Sequence, residues 1–141
     1  MASRSAQVNL LSGVELFAGL TKKEAAFVLQ FMRDYDYPVG RVMVEEGEKG
    51  GRFFLIVSGT AVVTRHGRRI RRLGPGDSFG DIALIDGGPR SATVTAETPI
   101  STLALAVWNF KAALLENPSI TYKLLLVLCK RLRDAESRAP I

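Results

Sequence analysis

The sequence predicts a mainly β fold, in which about eight short strands form a sandwich or roll and helices flank it at both ends. Between residues 34 and 107, apolar and β-branched runs of four to seven residues are separated by turns containing glycine or proline. Short strands with frequent turns are typical of a sandwich or roll. Before residue 34 and from Trp108 onward, apolar residues recur at helical spacing instead.

One domain of ordinary composition is expected. Of the 141 residues, 47% are hydrophobic and 23% are charged. We divide the chain into a loose lead-in at residues 1–9 and a domain at residues 10–137, with the roll at about 34–107 and the terminal helices at about 108–137. The chain has no apolar run long enough for a membrane, no secretory signal and a single cysteine, so we expect a cytoplasmic protein.

The helical regions begin with recognisable caps. Residues 10–20 predict a short helix and a turn, and Thr21 and Glu24 have the spacing of a capping box. The helix that follows should end near Arg33. Toward the end of the chain, residues 110–116 predict a short helix. Asn117 and Pro118 then suit the N-cap and first position of a final helix over about 119–137.

The strand region contains three clear signals. Residues 53–57 form a continuous apolar run, long enough for a buried strand but short for a helix. His66 and Gly67 predict a two-residue hairpin turn. Residues 92–96 and 102–107 predict the last two strands, separated by a break that contains Pro99.

Positive charge is concentrated in one short segment. The net charge is +5, and five arginines fall within eight residues: Arg65, Arg68, Arg69, Arg71 and Arg72. One interpretation is a solvated hairpin edge that resists pairing with another strand. The other is a contact patch for nucleic acid or an acidic protein. Because no aromatic residue is interleaved, a stacking platform for single strands is disfavoured.

Residues 79–94 combine the features of a small anion site. Gly80 lets the backbone approach a ligand closely, and the segment after it can form one or two helical turns. Arg90 offers a planar fork of donors that suits two phosphate oxygens. Asp81 is an acceptor, as a sugar hydroxyl requires. One phosphate and one ribose hydroxyl are therefore the predicted ligand groups.

This stretch resembles the phosphate-binding cassette of the cyclic nucleotide-binding domain family, of the catabolite activator and protein kinase regulatory subunit type. A second signature of that family lies at residues 43–59, MVEEGEKGGRFFLIVSG, at the family's spacings. The resemblance covers about residues 10–136 and implies an eight-stranded β-roll with helices at both ends. It departs from the family at Asp81, where Glu is usual and reaches one methylene further.

The resemblance implies a site for a 3′,5′-cyclic nucleotide, cAMP or cGMP with cAMP favoured, and no cofactor. Asp81 either meets the ribose or caps the short helix after it. Ser91 either meets the phosphate or purine, or hydrogen bonds locally. The residues expected to bind the nucleotide are Phe79, Gly80, Asp81, Ile82, Ala83, Leu84, Arg90, Ser91 and Ala92.

In the family, the last helix closes over the base, which makes Leu124, Leu128 and Arg131 candidates for lid or base contacts. The alternatives are ordinary packing on the roll and helix pairing in a homodimer or with a partner protein. Catalysis and metal binding are not expected, because there is one His and one Cys. The acidic positions 77, 81 and 86 resemble a calcium loop only loosely.

Three functional classes follow. The main hypothesis is a cyclic nucleotide sensor whose last helix is the output, either by itself or as a regulatory fragment of a larger protein. The second is a DNA-binding regulator of the catabolite activator type, but we expect no DNA-binding domain, because only about ten residues follow the last apolar helix position. The third is an interaction module that keeps the fold without the nucleotide.

Overall fold

A computed structural model describes residues 3–137. Its helices are α1 (Arg4–Ser12), a 3-10 turn (Glu15–Phe17), α2 (Lys22–Leu29), α3 (Asp81–Asp86), α4 (Val107–Glu116) and α5 (Pro118–Glu136). Its strands are β1 (Arg33–Tyr37), β2 (Val42–Val44), β3 (Arg52–Ser58), β4 (Ala61–Arg65), β5 (Arg68–Leu73), β6 (Ser78–Phe79), β7 (Thr93–Ala96) and β8 (Ile100–Ala106).

The strands form two antiparallel sheets of four. The first sheet has the order β1-β8-β3-β6, and the second has the order β2-β7-β4-β5. The chain repeatedly crosses between them, so that strands distant in sequence, such as β3 and β8, become neighbours. The predicted eight-stranded roll with flanking helices is confirmed.

Strand β3 separates two hydrophobic clusters. Because successive side chains on a strand face opposite ways, Phe53 and Leu55 pack against the helices, while Ile56 packs between the sheets. Phe53 meets Phe17 edge to face, with ring centroids 5.6 Å apart. A strand buried on both faces requires a continuous apolar run. This confirms the buried strand predicted at residues 53–57.

The structure corrects the predicted lead-in at residues 1–9 over residues 3–9, since residues 1 and 2 lie outside the described part of the chain. Helix α1 occupies Arg4–Ser12, and the Ser3 hydroxyl caps it by accepting from the Ala6 amide at 3.1 Å. Val8 and Leu11 are buried in the helical cluster. The helix was missed because these few apolar contacts, made only in the folded chain, stabilise a segment whose own sequence is weakly amphipathic.

The capping box at Thr21 is confirmed. Its hydroxyl accepts from the Glu24 amide, and the Glu24 carboxylate accepts from the Thr21 amide. Helix α2 ends at Leu29, earlier than predicted, because the chain enters β1 at Arg33. The cap at Asn117 is also confirmed, since its side chain accepts from the Ile120 amide at 3.3 Å.

The β4–β5 hairpin turns at His66 and Gly67, as predicted. Both residues have positive φ, 52° and 75°, which a two-residue hairpin turn needs. Strand β5 lies at the edge of its sheet. Arg69 and Arg72 both pair with Glu97, so part of the arginine cluster is already engaged within the chain.

The last two helices, α4 and α5, meet at a sharp bend of 115°. Within residues 3–137, no single helix combines the length and apolarity needed to cross a membrane. Helices α4 and α5 reach those values only when they are counted together across the bend.

Candidate functional site

Arg90 is the buried charge around which the site is built. Its side chain is only 8% exposed. Nη2 donates to the carbonyl oxygen of Arg52 at 2.6 Å. The backbone of Arg90 is fixed as well, because its amide donates to the Glu48 carbonyl and its carbonyl accepts from the Gly47 amide, both at 2.9 Å. The guanidinium is therefore positioned by main-chain groups of β3 and of the loop before it.

No carboxylate neutralises Arg90 among the described residues. Nη1 is buried and has no hydrogen-bond partner in residues 3–137. Burial lowers the pKa of the guanidinium, although an arginine remains charged. A buried donor without an acceptor costs about 1–3 kcal/mol, and more when it is charged. An anion placed against Nη1 would remove that cost.

Two glycines make room for this side chain. Gly80 has a φ of 91°, and a Cβ there would lie 2.5 Å from Nη1 of Arg90 and 2.6 Å from the Arg52 carbonyl. A Cβ on Gly50 would collide with the guanidinium group from another side. Gly80 was a predicted site residue, whereas Gly50 was noted only as part of the upstream signature. The isolated bridge between Lys49 and Pro89 brings the segments of Gly50 and Arg90 together.

Asp81 has two partners in the structure. Oδ1 accepts from the next amide, that of Ile82, at 2.9 Å. Oδ2 pairs with Nη1 of Arg131 on α5 at 2.8 Å. Arg131 also pairs with Glu15. Burial lowers the pKa of Arg131, but the hydrogen bonds from Glu15 and Asp81 outweigh burial, and the net shift is upward. The carboxylate predicted to cap a helix or meet ribose thus also ties α3 to the last helix.

A cavity of about 370 Å³ opens beside Arg90. The predicted residues at its wall are Phe79, Gly80, Asp81, Ile82, Ala83, Arg90, Ser91 and Ala92. Leu84 does not line it, because its side chain is fully buried in the helical cluster. Ser91 is exposed, and its carbonyl accepts from Nε of Arg65 at 3.0 Å.

Strands β4 and β5 supply the opposite wall of this cavity, which the sequence interpretation did not assign. The lining residues there are Val63, Arg65, Ile70, Arg71 and Leu73. Ile70 is a large exposed apolar side chain at an edge strand. An apolar residue in the middle of an arginine cluster was the available signal. It was ambiguous because a β-hairpin edge shows the same pattern.

Two of the three predicted lid residues, Leu124 and Leu128, lie away from this cavity. Leu124 is buried in the helical cluster, and Leu128 is half-buried. Neither lines the cavity beside Arg90, to which α5 contributes no described residue. Arg131 reaches the site through Asp81. The closure of α5 over a base stays a prediction.

Two of the three acidic residues in the loose calcium pattern, Asp77 and Asp86, stabilise turns. The Asp77 carboxylate accepts from the Gly74 amide at 2.8 Å, and that of Asp86 accepts from the Gly88 amide at 2.7 Å. In the described part of the chain, no group of three or more His, Cys, Asp or Glu side chains is arranged to hold a metal ion.

Two curated relatives are similar over most of this chain. The CRP-like cAMP-activated global transcriptional regulator of Mycobacterium tuberculosis is 30% identical over 129 residues, which is 88% of this chain and 58% of that protein. The cyclic AMP receptor protein of Thermus thermophilus is 31% identical over 131 residues, 89% of this chain and 61% of that protein. The chain therefore spans about three fifths of the length of these relatives.

A solved structure and a family model agree with this similarity. The N-terminal domain of a transcriptional regulator from Streptomyces coelicolor A3(2) superposes with a TM-score of 0.85 at 28% identity, covering 94% of this chain and 96% of that one. The model of the cyclic nucleotide-binding domain matches residues 36–117, which include the Arg90 site. The chain belongs to the cyclic nucleotide-binding domain family.

Proposed function

We propose that this chain binds a 3′,5′-cyclic nucleotide, with cAMP favoured, and acts as a regulatory module rather than an enzyme. The observation that carries the proposal is the buried guanidinium of Arg90, whose Nη1 has no partner within residues 3–137. The names of the two curated relatives, one cAMP-activated and one a cyclic AMP receptor, support the adenine nucleotide and a regulatory role.

The roles of the site residues follow from their chemistry. Arg90 neutralises the cyclic phosphate, and Gly80 leaves room for an oxygen beside Nη1. Asp81 accepts from a ribose hydroxyl. Ile70 and Arg71 at the β5 wall provide an apolar surface and a planar cation against which a base can stack.

Movement of α5 follows from competition for Asp81. Its Oδ2 pairs with Arg131 at 2.8 Å, so a ribose hydroxyl and Arg131 need the same carboxylate. A bound nucleotide would weaken the tie between α3 and α5. A ligand shifts such an equilibrium only by its difference in affinity for the two arrangements. The output is therefore the position of the last helix.

Calorimetry with cAMP and with cGMP tests the proposal, using Arg90→Ala beside Arg68→Ala. Arg68 is an exposed arginine of β5, so its removal changes the net charge equally without touching the buried site. We expect Arg90→Ala to weaken binding by at least about 2 kcal/mol, as for a truncated charge-assisted pair, and Arg68→Ala to leave it unchanged. Absence of heat with both nucleotides at about millimolar concentration would contradict the proposal.

An interaction module without nucleotide is the second candidate. It is favoured by Asp81, because both of its carboxylate oxygens already have partners within the chain. A melting-temperature series with each nucleotide separates the two functions. A binder is stabilised by RT ln(1 + [L]/Kd), whereas a module that has lost the ligand shows no shift at any concentration.

We also propose that α5 pairs with a second copy of this chain. Its exposed face carries a stripe of Tyr122, Leu125, Cys129 and Leu132, with Leu126 alongside. The spacings of three, four and three residues are those of a coiled-coil seam. Large apolar side chains in a row on one helix face are unfavourable in water and favour association.

A further inference from the structure

A second, separate surface surrounds Trp108, and we call it the Trp108 patch. It consists of Arg33, Tyr35, Arg52, Trp108 and Asn109, which line a cavity of about 240 Å³. The single tryptophan of the chain is 64% exposed here. Ala104 and Ala106 of β8 form its floor, since their small side chains leave space between β1 and β3.

The charge of the patch is positive. Neither Arg33 nor Arg52 forms an ion pair with any residue in the range 3–137. The Arg52 guanidinium lies over the Tyr35 ring, 4.7 Å from its centroid, which holds a planar cation in place without neutralising it. Strand alternation sends the carboxylates of Asp34 and Asp36 to the other side of β1, where they line a different cavity.

The exposed tryptophan and the arginines suit a protein partner. Trp, Tyr and Arg are the residue types that dominate the binding energy of protein interfaces. The cavity is smaller than the roughly 300–1,000 Å³ of a typical small-molecule pocket, and Trp108 stands at its rim. A ligand that rests on Trp108 and reaches into the cavity must therefore extend beyond it.

Nucleic acid fits this surface less well. A phosphate backbone is held by several cations in a row. Here only two arginines of the described residues line the cavity, and the adjoining cavity beyond Arg52 and Trp108 is of mixed charge, with Glu45 and Glu48 beside Lys49 and Arg90. The glutamates interrupt a row of cations that a polyanion would follow past the patch, whereas one or two acidic side chains need only Arg33 and Arg52.

From this geometry we infer that the Trp108 patch is a docking site for an acidic segment of a partner protein, with one or two carboxylates on Arg33 and Arg52 and an apolar side chain on Trp108. The inference does not depend on nucleotide binding. It does place the partner beside the phosphate site, because the Arg52 carbonyl accepts from Arg90 at 2.6 Å.

Intrinsic fluorescence tests the inference directly, because all tryptophan signal comes from Trp108. The probe is a short peptide of glutamates around two leucines, titrated into the nucleotide-free protein. We expect a saturable shift of the emission, which a peptide with glutamine in place of glutamate does not produce. No change up to about 1 mM peptide overturns the inference.

The variants Arg33→Glu and Arg68→Glu make the same charge change at two exposed arginines of edge strands, only one of them in the patch. We expect Arg33→Glu to weaken the peptide at least about tenfold and Arg68→Glu to leave it within about twofold. Equal losses would show general charge attraction and reject the site. A short DNA duplex that gives the same shift with the same sensitivity to Arg33→Glu would also reject it, in favour of nucleic acid.

Discussion

A buried arginine needs acceptors, and Arg90 obtains one of them from the main chain. The carbonyl of Arg52 holds Nη2, and the glycines at 50 and 80 let the guanidinium group lie against the backbone. A carboxylate partner would have neutralised the charge within the chain. With a carbonyl instead, the positive charge stays available at Nη1. The residue is thus held in place while Nη1 has no partner among the described residues, as the proposed phosphate role requires.

Replacing Gly80 by alanine should damage both the fold and the site. The new Cβ would meet Nη1 of Arg90 and the Arg52 carbonyl, in a backbone conformation that already costs roughly 1–2 kcal/mol for a side chain. We expect denaturant unfolding to show a loss above that range, and calorimetry to show no nucleotide binding.

Gly40→Ala is the matched control for this substitution. Gly40 has a φ of 84°, close to that of Gly80, but a Cβ there would have nothing within 4 Å. Its loss of stability should stay near the backbone cost alone, with the affinity for nucleotide unchanged. Similar losses of stability in the two variants would show that the contact with Arg90 is unimportant.

At the residue scale, the sequence predicted which chemical groups surround the site, because these follow from residue type alone. A glycine, an acidic residue and an arginine in one short stretch marked the groups around the site, and the structure brings them to one cavity wall. It could not predict that Asp81 meets Arg131, fifty residues away. That pair depends on where the end of α5 lies relative to the start of α3, which no local pattern encodes.

The last helix is attached to the domain by charge as well as by packing. Near its start, Lys123 pairs with Glu24 of α2, and the Ser119 hydroxyl donates to the same carboxylate at 2.9 Å. Near its end, Arg131 joins Glu15 and Asp81. The first attachment does not involve the cavity wall, whereas the second does. We therefore expect the start of α5 to stay fixed when its end responds to ligand.

Acid should weaken the attachment at Glu24. The hydrogen bond from Lys123, followed by that from the Thr21 amide, lowers the pKa of Glu24 from 4.5 to about 2. A carboxylate whose pKa is lower in the folded protein stabilises the fold at pH values above its pKa in the unfolded chain. It loses that effect as the pH falls through its pKa in the folded protein. The free energy of unfolding should therefore decline between pH 4.5 and about 2.

Glu24→Gln isolates this contribution, because glutamine can keep the capping box with Thr21 but cannot carry the charge. We expect the variant to be less stable than the wild type at neutral pH, with the difference shrinking as pH approaches 2. Denaturant titrations at several pH values measure it. A difference that is independent of pH would mean that the carboxylate charge does not hold α5.

Removing Arg131 distinguishes two roles for that side chain. If Arg131 competes with the ribose for Asp81, then Arg131→Gln should raise the affinity for nucleotide by up to about fivefold, the value of a partly exposed ion pair. If it contacts the base, the affinity should fall. Glu15→Gln is the control, because it breaks the other ion pair of Arg131 and leaves Asp81 engaged.

Elements with self-contained signals were predicted well. The capping box, the hairpin turn and the buried strand each have their determinants within a few residues, and each is confirmed. Helix α1 was missed because its stability comes from contacts of Val8 and Leu11 with elements later in the chain. Local patterns predict an element when local interactions stabilise it.

At the scale of the whole molecule, the sheet order places the site. Strand β3 lies between β8 and β6, so the Arg52 carbonyl, Phe79 and the start of α4 come together at one end of the roll. Strand and turn patterns predicted about eight strands and the resemblance specified the roll, but neither periodicity nor turns specify which strands pair. That order is set by long-range contacts. It also determines where the Arg90 cavity and the Trp108 patch lie on the roll.

The apolar stripe on α5 remains exposed in a single chain, and the proposed pairing of two chains would cover it. Its apolar residues run from Tyr122 to Leu132, roughly three helical turns. A seam of that length supports only weak pairing, so association should depend on concentration. Light scattering over a range of concentrations should show a monomer passing to a dimer.

Substitution and cross-linking then locate the contact. Leu125→Glu should keep the chain monomeric, because it places a charge in the seam. Leu115→Glu makes the same change at an apolar residue on α4 that is 85% exposed, and should leave the dimer intact.

In a parallel symmetric pair, Cys129 faces its own copy, so mild oxidation should yield a disulfide-linked dimer that Leu125→Glu prevents. If the wild-type chain stays monomeric at every concentration, the proposed pairing is wrong and α5 packs only against its own domain.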